Sequence, residues 1–306
     1  MLGCTCTRRV LSSSLRSFST SPAVPHSSTS SHQPFIVPSS LPTSTSSDST
    51  KQPSRPTYEG HVPINLFQRG LLAVGSAVMG LIDTSRHDMI AVLSETTSGP
   101  FLSHLRTEMR KTKSGRQILR DRPRITEQSV DLAKLEQMGE GTFGRKYVEW
   151  LRRNKVTPDT RDPVRYIDDP ELAYIMQRYR ESHDFYHVLL GFGVSLPAEL
   201  VVKWFELSNF NLPVAALSST FGPLRLESDE RARLRRTYGT WALKSGSKAE
   251  CLIGVYWEKE WETDIDELRK RFGVERPPVG FGQFRKEERR IKADKEMGEG
   301  ARNMNL

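Results

Sequence analysis

The chain has 306 residues, of which 36% are hydrophobic and 27% are charged, and its formal net charge is +8. This length and composition suit one or two globular domains and exclude a wholly disordered or fibrous chain. Its three cysteines, Cys4, Cys6 and Cys251, are too few for a disulfide scaffold or for a closed zinc site made of cysteines alone. No uncharged apolar run reaches about 18 residues, which argues against a transmembrane helix.

The first fifty residues have a composition of their own, with sixteen serines and seven threonines. Arg8, Arg9 and Arg16 precede the first acidic residue, Asp48, and apolar residues lie beside these arginines at roughly helical spacing. This pattern is typical of a mitochondrial transit peptide, and a disordered Ser/Thr/Pro tail is the alternative. We therefore divide the chain into a transit peptide and linker, a folded body and a charged C-terminal tail, at residues 1–57, 58–280 and 281–306.

The folded body shows a helical period throughout, which predicts an all-α fold with a single domain. Asp169 and Pro170 are a helix start signal, and Gly191 is a stop signal for the same helix. The segment 251–257 alternates weakly and predicts either a short strand or a bent helix. Helices are predicted over about 66–82, 86–96, 101–113, 142–153, 170–190, 196–210, 213–221, 228–245 and 262–272.

The segment Gly70–Ile82 contains thirteen residues without a charge, too few to span a bilayer. We expect a buried core helix here, and contact with a lipid or a membrane is the alternative. A second candidate for lipid contact is a group of arginines that would attract anionic headgroups if they were not neutralised by nearby acidic residues. This group consists of Arg225, Arg231, Arg233, Arg235 and Arg236. No nucleic-acid-binding signature accompanies it.

Two histidines, His183 and His187, continue the apolar stripe of the helix predicted over 170–190. Residues four apart lie one turn apart on the same face, so both rings can reach one ion. Asp184 lies about 100° further round the helix and can ligate the ion or orient a histidine. Glu199 falls in the first turn of the next helix, and the short connection returns it to His187.

Two imidazoles and two carboxylates suit Zn²⁺ or another divalent metal. The alternative is a pair of core histidines that hydrogen-bond Asp184, Glu199 and Tyr179. We favour the metal site, because two buried histidines without a partner would lose their hydration at considerable cost. The site lacks the glutamate that follows the first histidine in metalloprotease helices, since that position is Asp184.

The motif H-D-x-x-H, followed after eleven residues by E, resembles the coenzyme Q (ubiquinone) biosynthesis family numbered four. Further motifs of that family occur in order over about 60–272, as RHDMIAVLSETT (86–97), GTFGRKYVEWL (141–151), VTPDTRDPVRYIDDPELAYIMQRYRESHDFYHVLLG (156–191), ELVVKWFE (199–206) and FGPLRL (221–226). The resemblance implies that the metal ligands are His183, Asp184, His187 and Glu199.

The resemblance also implies an all-helical protein, peripheral on the matrix side of the mitochondrial inner membrane. It implies a place among the other enzymes of a multi-subunit coenzyme Q biosynthetic complex, which the family helps to organise. The implied reaction is that of a lyase, which removes the C1 carboxyl of 4-hydroxy-3-methoxy-5-polyprenylbenzoate and gives 2-methoxy-6-polyprenylphenol. The alternative is a non-catalytic scaffold or a polyprenyl-lipid carrier in that complex, with a structural metal.

Decarboxylation of a 4-hydroxybenzoate needs a proton donor near C1, and Asp184 is the candidate catalytic residue for that role. Tyr179 and Tyr186 are weaker candidates. An oxidative route would instead need a redox-active metal or a partner enzyme. Arg178 or Arg180 could bind the substrate carboxylate, although salt bridges to Asp168, Asp169 or Glu181 are their expected use.

Overall fold

The structure is a computed structural model that describes residues 55–82 and 86–303. Across these two ranges there is no β-strand, and the β-type pairing consists of an isolated bridge between Thr142 and Asp264. The all-α prediction is therefore confirmed. The predicted transit peptide and linker, residues 1–57, lie outside the described residues except for the last three.

The helices follow the predicted order, and their ends differ from prediction by a few residues at most, apart from the segment 228–245. They are α1 (Leu66–Ile82), α2 (His87–Thr97), α3 (Gly99–Lys111), α4 (Lys113–Asp121), α5 (Leu132–Glu136), α6 (Phe143–Asn154), α7 (Pro170–Leu190), α8 (Leu196–Phe210), α9 (Pro213–Phe221), α10 (Ser228–Leu234), α11 (Thr240–Lys248), α12 (Ile265–Phe272) and α13 (Phe281–Asn303).

Two short helices, α4 and α5, were missed by the sequence prediction. Thr112 separates α3 from α4 with an extended backbone, and its hydroxyl accepts a hydrogen bond from the Gly115 amide at 2.9 Å. One residue thus ends one helix and caps the next, so the helical period hardly changes across the break.

Helix α7 lies at the centre of the fold and is buried on every side from Ala173 to Leu190. The Asp169 carboxylate caps it by accepting from the amides of Glu171 and Leu172, and Gly191 ends it in a left-handed conformation. A helix buried all round must pair each polar side chain that it carries, because an unpaired buried charge is costly.

The polar side chains of α7 are paired with residues from several surrounding segments, and these pairs hold it in place. Breaking a buried ion pair by removing one partner typically costs about 3–5 kcal/mol. The pairs are Arg178 with Glu258, Arg180 with Glu95, Glu181 with Arg124, His183 with Glu206, and Asp184 with Arg161.

Helix α1 is not the buried core helix that was expected from its composition. It packs mainly on α2, and Leu71, Val74 and Ile82 each expose about two thirds or more of their surface. The side that faces the protein carries a stripe of small residues with Ser76 buried at its centre. The expectation was wrong because the small residues of α1 face inward, whereas its large apolar residues face outward.

The predicted helix 228–245 is continuous but contains a π-helical turn at Arg235–Gly239 between α10 and α11. Within the predicted charged tail, residues 281–303 form α13, whose Phe284 is buried and whose Glu288 pairs with Arg233. Residues 251–257 form 3₁₀ turns instead of a strand. Among the described residues, no helix is both long and apolar enough to cross a membrane.

Candidate metal centre

Helices α7 and α8 bring two histidines and a glutamate together. His183 and His187 lie one turn apart near the end of α7, and both are buried. The connection 191–195 is short, so α8 starts beside the end of α7. Glu199 lies in the first turn of α8, as the sequence predicts, and its side chain is one third exposed.

The three side chains converge on one point. His183 Nε2 and His187 Nε2 are 3.1 Å apart, and each lies 3.3 Å from a carboxylate oxygen of Glu199. Over the residues that the structure describes, these three form the one group of histidine, cysteine or acidic side chains close enough together to hold a metal ion.

The ring of His183 is oriented from its other side by Glu206, which is fully buried on α8. The Glu206 carboxylate accepts from His183 Nδ1, from the Tyr179 hydroxyl at 2.7 Å and from Lys203 Nζ at 2.7 Å. A proton on Nδ1 leaves the lone pair of Nε2 free to face His187 and Glu199. Glu206 therefore occupies the position of a residue that orients a metal ligand.

The electrostatics of the cluster favour an ionised carboxylate at both glutamates. Burial alone would raise the pKa of Glu206, but Lys203 and His183 outweigh it and lower that pKa to about 2. Burial also opposes ionisation of Glu199, yet His187 and His183 hold its pKa well below the usual value. Burial and Lys203 lower the pKa of His183, but Glu206 and Glu199 outweigh them and raise it.

His187 is the less constrained of the two histidines. Its ring packs against Trp150, with ring centroids 5.4 Å apart, and the Trp150 indole donates to the Phe192 carbonyl at 2.7 Å. His187 Nδ1 is buried and has no hydrogen-bond partner among the described residues. The tilted contact with Trp150 thus supports a ring whose Nε2 lies in the cluster.

Asp184, the fourth predicted ligand, does not join the other three. Its carboxylate is buried and accepts a hydrogen bond from Arg161 Nη2, which forms an ion pair with it from a side chain that is one third exposed. The structure brings together His183, His187 and Glu199, whereas Asp184 lies beside them and is paired with Arg161. Its coordination of a metal stays a prediction.

The three-residue cluster has the chemistry and spacing of a divalent metal site. Zinc binds imidazole nitrogen and carboxylate oxygen at about 2.0–2.2 Å, and a tetrahedral arrangement then places neighbouring ligand atoms about 3.3 Å apart. His183 Nε2 and His187 Nε2 are 3.1 Å apart, close to that spacing, and the two oxygens of Glu199 each lie 3.3 Å from one of these nitrogens, Oε2 from His183 and Oε1 from His187. The residues present therefore fit such a group.

Sequence reasoning missed Glu206, Lys203 and Arg161. A signal existed for the first two, because Glu199, Lys203 and Glu206 recur at steps of four and three and so share one face of α8. No periodic signal exists for Arg161, which lies in a non-helical segment before α7.

The expected salt bridges of the two α7 arginines exist but have other partners. Arg178 pairs with Glu258 and also donates to the Val255 carbonyl at 3.0 Å. Arg180 pairs with Glu95 at 2.8 Å. Because these pairs are buried, neither arginine is available to a ligand bound at His183, His187 and Glu199.

The chain matches the sequence model of the family described as "Coenzyme Q (ubiquinone) biosynthesis protein Coq4" over residues 58–278. The chain belongs to the Coq4 family. A protein of Coprinopsis cinerea named as mitochondrial ubiquinone biosynthesis protein COQ4 is 55% identical over 221 residues, which cover 72% of this chain and 76% of that protein. The COQ4 homolog of Bos taurus is 46% identical over 222 residues, which cover 72% of this chain and 84% of that protein.

Among solved structures, the chain is similar to a putative ubiquinone biosynthesis protein from Nostoc punctiforme. The TM-score is 0.55 at 20% identity, over 67% of this chain and 98% of that chain. At that identity the likeness concerns the fold alone. Coq4 membership confirms the resemblance found in the motifs and the role in ubiquinone biosynthesis, and the names of the relatives support a mitochondrial location.

Proposed function

We propose that this Coq4 protein is a metal-dependent carboxy-lyase. It removes the C1 carboxyl of 4-hydroxy-3-methoxy-5-polyprenylbenzoate and gives 2-methoxy-6-polyprenylphenol. The observation that carries the proposal is the convergence of His183, His187 and Glu199 at the spacing of a divalent metal site. Three protein ligands leave a coordination position open, as catalytic zinc sites do, whereas structural sites are closed by four.

His183, His187 and Glu199 would hold Zn²⁺ or another divalent cation. When bound, the cation supplies Lewis acidity toward a carboxylate or phenolate oxygen. Glu206 keeps the Nε2 lone pair of His183 directed at the cluster, and Trp150 supports the ring of His187. These residues therefore present a pre-oriented ligand set.

Loss of carbon dioxide from the benzoate requires a proton at C1, while the para oxygen takes up the ring charge. Asp184 remains the candidate donor, but in this arrangement it accepts from Arg161, and that pair would first have to part. The hydroxyl of Tyr179 is engaged by Glu206, and that of Tyr186 by Ser182 at 2.8 Å. Among these three groups, Asp184 is next to His183 in the chain and is held by a single ion pair.

The polyprenyl tail of the substrate requires a place for a long apolar chain. The outward face of α1 supports contact with a lipid, because its large apolar side chains lie in solvent. Helix α1 packs on α2, α2 packs on α9, and α9 packs on α8, which carries Glu199. We place the protein on the matrix side of the inner membrane, with the outward face of α1 against the lipid and with the other enzymes of the coenzyme Q biosynthetic complex as partners.

The reaction is tested with purified, zinc-loaded protein and 4-hydroxy-3-methoxy-5-prenylbenzoate, with and without oxygen. Carbon dioxide and the phenol are followed by mass spectrometry, beside His187→Ala and beside His104→Ala as a matched control on the exposed surface of α3. Turnover that is lost only in His187→Ala supports a lyase, and its oxygen dependence separates the oxidative from the simple route. No turnover from folded, zinc-loaded protein, alone or with its partner enzymes, favours the scaffold or lipid carrier.

Lipid contact is tested by flotation with vesicles of phosphatidylcholine, with and without cardiolipin. Leu71→Glu and Val74→Glu should abolish flotation, because each places a charge on the outward face of α1. Met297→Glu is the matched control, since Met297 is equally exposed but lies on α13. Equal flotation of all variants would exclude α1 as the lipid-facing element.

A further inference from the structure

The residues on either side of Arg161 in the chain are held by hydrogen bonds, and the Arg161 side chain has a buried N–H donor that makes no hydrogen bond to the part of the chain that the structure describes. The Asp159 carboxylate accepts from the Glu127 amide at 2.9 Å, and the Asp162 carbonyl accepts from Arg180 Nη1 at 3.1 Å. Between these anchors the Arg161 side chain reaches Asp184 on α7. The chain thus presents this guanidinium beside the metal cluster from a fixed backbone.

Arg161 shares with Arg178 of α7 a buried Nε that has no hydrogen-bond partner among the described residues, but Arg161 is the more exposed of the two. The Nη2 of Arg161 donates to Asp184. The side chain is also one third exposed, whereas that of Arg178 is fully buried. Arg161 therefore has a buried Nε donor without a partner, on a side chain that is partly open to solvent.

Arg161 lies close enough to the candidate metal site to interact electrostatically with its carboxylates. The charges of Asp184, Glu199 and Glu206 all act on the Arg161 guanidinium, which stays protonated in a protein as arginines do. Arg161 thus remains a cation beside a cluster that otherwise carries carboxylates and histidines. A bound anion would meet this fixed positive charge.

A second unused donor belongs to Tyr147 on α6. Its hydroxyl is buried and has no hydrogen-bond partner within residues 55–82 and 86–303, and its ring packs edge-on against Phe185, the residue after Asp184, with centroids 4.8 Å apart. A buried hydroxyl without a partner is costly in a folded protein and indicates a place where a ligand or water completes the hydrogen bonding. Burial and the charge of Asp184 raise the pKa of Tyr147, so this hydroxyl keeps its proton.

We propose that Arg161 is the carboxylate-recognition residue of the site and binds the acid group of the aromatic substrate through donors that it does not use on Asp184. The planar guanidinium matches a carboxylate with two parallel hydrogen bonds, which a lysine could not supply. This inference rests on the proposed function, because it assigns a receptor for the group that the reaction removes. Arg161 would then hold the acid substrate and not the phenol product, which favours product release.

The test measures binding without turnover on the full-length, zinc-loaded protein. The ligand is 3,4-dimethoxy-5-prenylbenzoate, whose methylated para oxygen cannot take up the ring charge, and its matched neutral partner is the methyl ester. Isothermal titration should show tighter binding of the acid than of the ester in the unmodified protein. Arg161→Gln should weaken acid binding by about 10- to 100-fold, the range expected for a hydrogen bond to a charged group, and leave ester binding unchanged.

Two further variants separate recognition from folding. Arg161→Gln with Asp184→Asn removes both partners, so no unpaired buried charge remains, and it should lose the preference for the acid as the single variant does. Arg124→Gln is the matched control, because it also removes an arginine from a buried carboxylate of α7, Glu181, and it should keep the preference. Zinc content is measured in every variant to establish that the cluster is intact.

The proposal is tested by the ratio of acid affinity to ester affinity in each variant. An equal loss of acid and ester binding in Arg161→Gln, or no loss of either, would overturn it. Because no bond is broken in this assay, an intact Arg161-dependent preference without any carbon dioxide from the true substrate would refute the lyase reaction and leave the recognition role standing.

Discussion

Glu206→Gln should weaken zinc binding although Glu206 is not itself a ligand. The substitution keeps the shape of the side chain and its acceptor for His183 Nδ1, but it removes the negative charge that the ring and Lys203 face. Residues that orient a metal ligand typically contribute 10- to 100-fold to metal affinity when they are mutated. The expected loss is therefore about 1.4–2.8 kcal/mol of zinc-binding free energy.

The same substitution should also destabilise the fold, because it leaves the ammonium of Lys203 without its carboxylate. Lys203 is largely buried, and removal of one member of a buried pair costs about 3–5 kcal/mol at most. Stability and metal affinity must therefore be measured separately. Competition with a chromogenic chelator gives the zinc dissociation constant, and urea unfolding of the metal-free protein gives the free energy of unfolding.

Glu181→Gln is the matched control for this prediction. Glu181 is a buried carboxylate of α7 that pairs with Arg124 and accepts from the Ile125 amide at 2.9 Å, but it does not contact His183 or His187. We expect a comparable loss of stability and no change in the zinc dissociation constant. An unchanged dissociation constant in Glu206→Gln, or an equal change in Glu181→Gln, would refute the role of Glu206 as the residue that orients His183.

Three further predictions follow from the structure. Chelation of the metal should lower Tm by about 5–10 °C relative to zinc at about a hundred times its dissociation constant, and thermal unfolding of His187→Ala should show no such difference. Arg180→Met should lower the free energy of unfolding by about 3–5 kcal/mol in a urea titration, because it leaves Glu95 buried without its partner, whereas Arg290→Met on exposed α13 should have no measurable effect. Burial raises the pKa of the Cys251 thiol to about 12, so at pH 8 it should hold about a thousandfold less thiolate than a free cysteine, and mass spectrometry should detect its alkylation by iodoacetamide only after unfolding.

The central helix and the convergence of His183, His187 and Glu199 could be predicted because the signals that define them are local. Asp169, Pro170 and Gly191 mark the ends of α7, and the spacing of His183 and His187 places both rings on one face. The short connection to α8 then leaves little freedom in the position of Glu199. Each of these inferences depends on residues close together in the chain, so each could be read from the sequence.

The partners of α7 could not be predicted because they come from distant segments. Arg180 pairs with Glu95, Arg178 with Glu258 and Glu181 with Arg124, and the paired residues are 85, 80 and 57 positions apart in the sequence. A helical period shows which residues face inward, but it does not show what they meet. The solvent-exposed face of α1 could not be predicted either, because composition alone does not distinguish a core helix from a helix whose large apolar side chains face outward.

The contacts between α7 and α8 bear on the choice between a catalytic and a structural metal. Tyr179 and His183 on α7 both contact Glu206 on α8, and these bonds hold the two helices together without any ion. The short connection 191–195 adds a covalent constraint at the same end. A metal that served only to join these helices would duplicate contacts that already exist. Chelation should therefore lower Tm without unfolding the protein. If the fold does not need the ion, a catalytic role explains the presence of His183, His187 and Glu199 better than a structural role does.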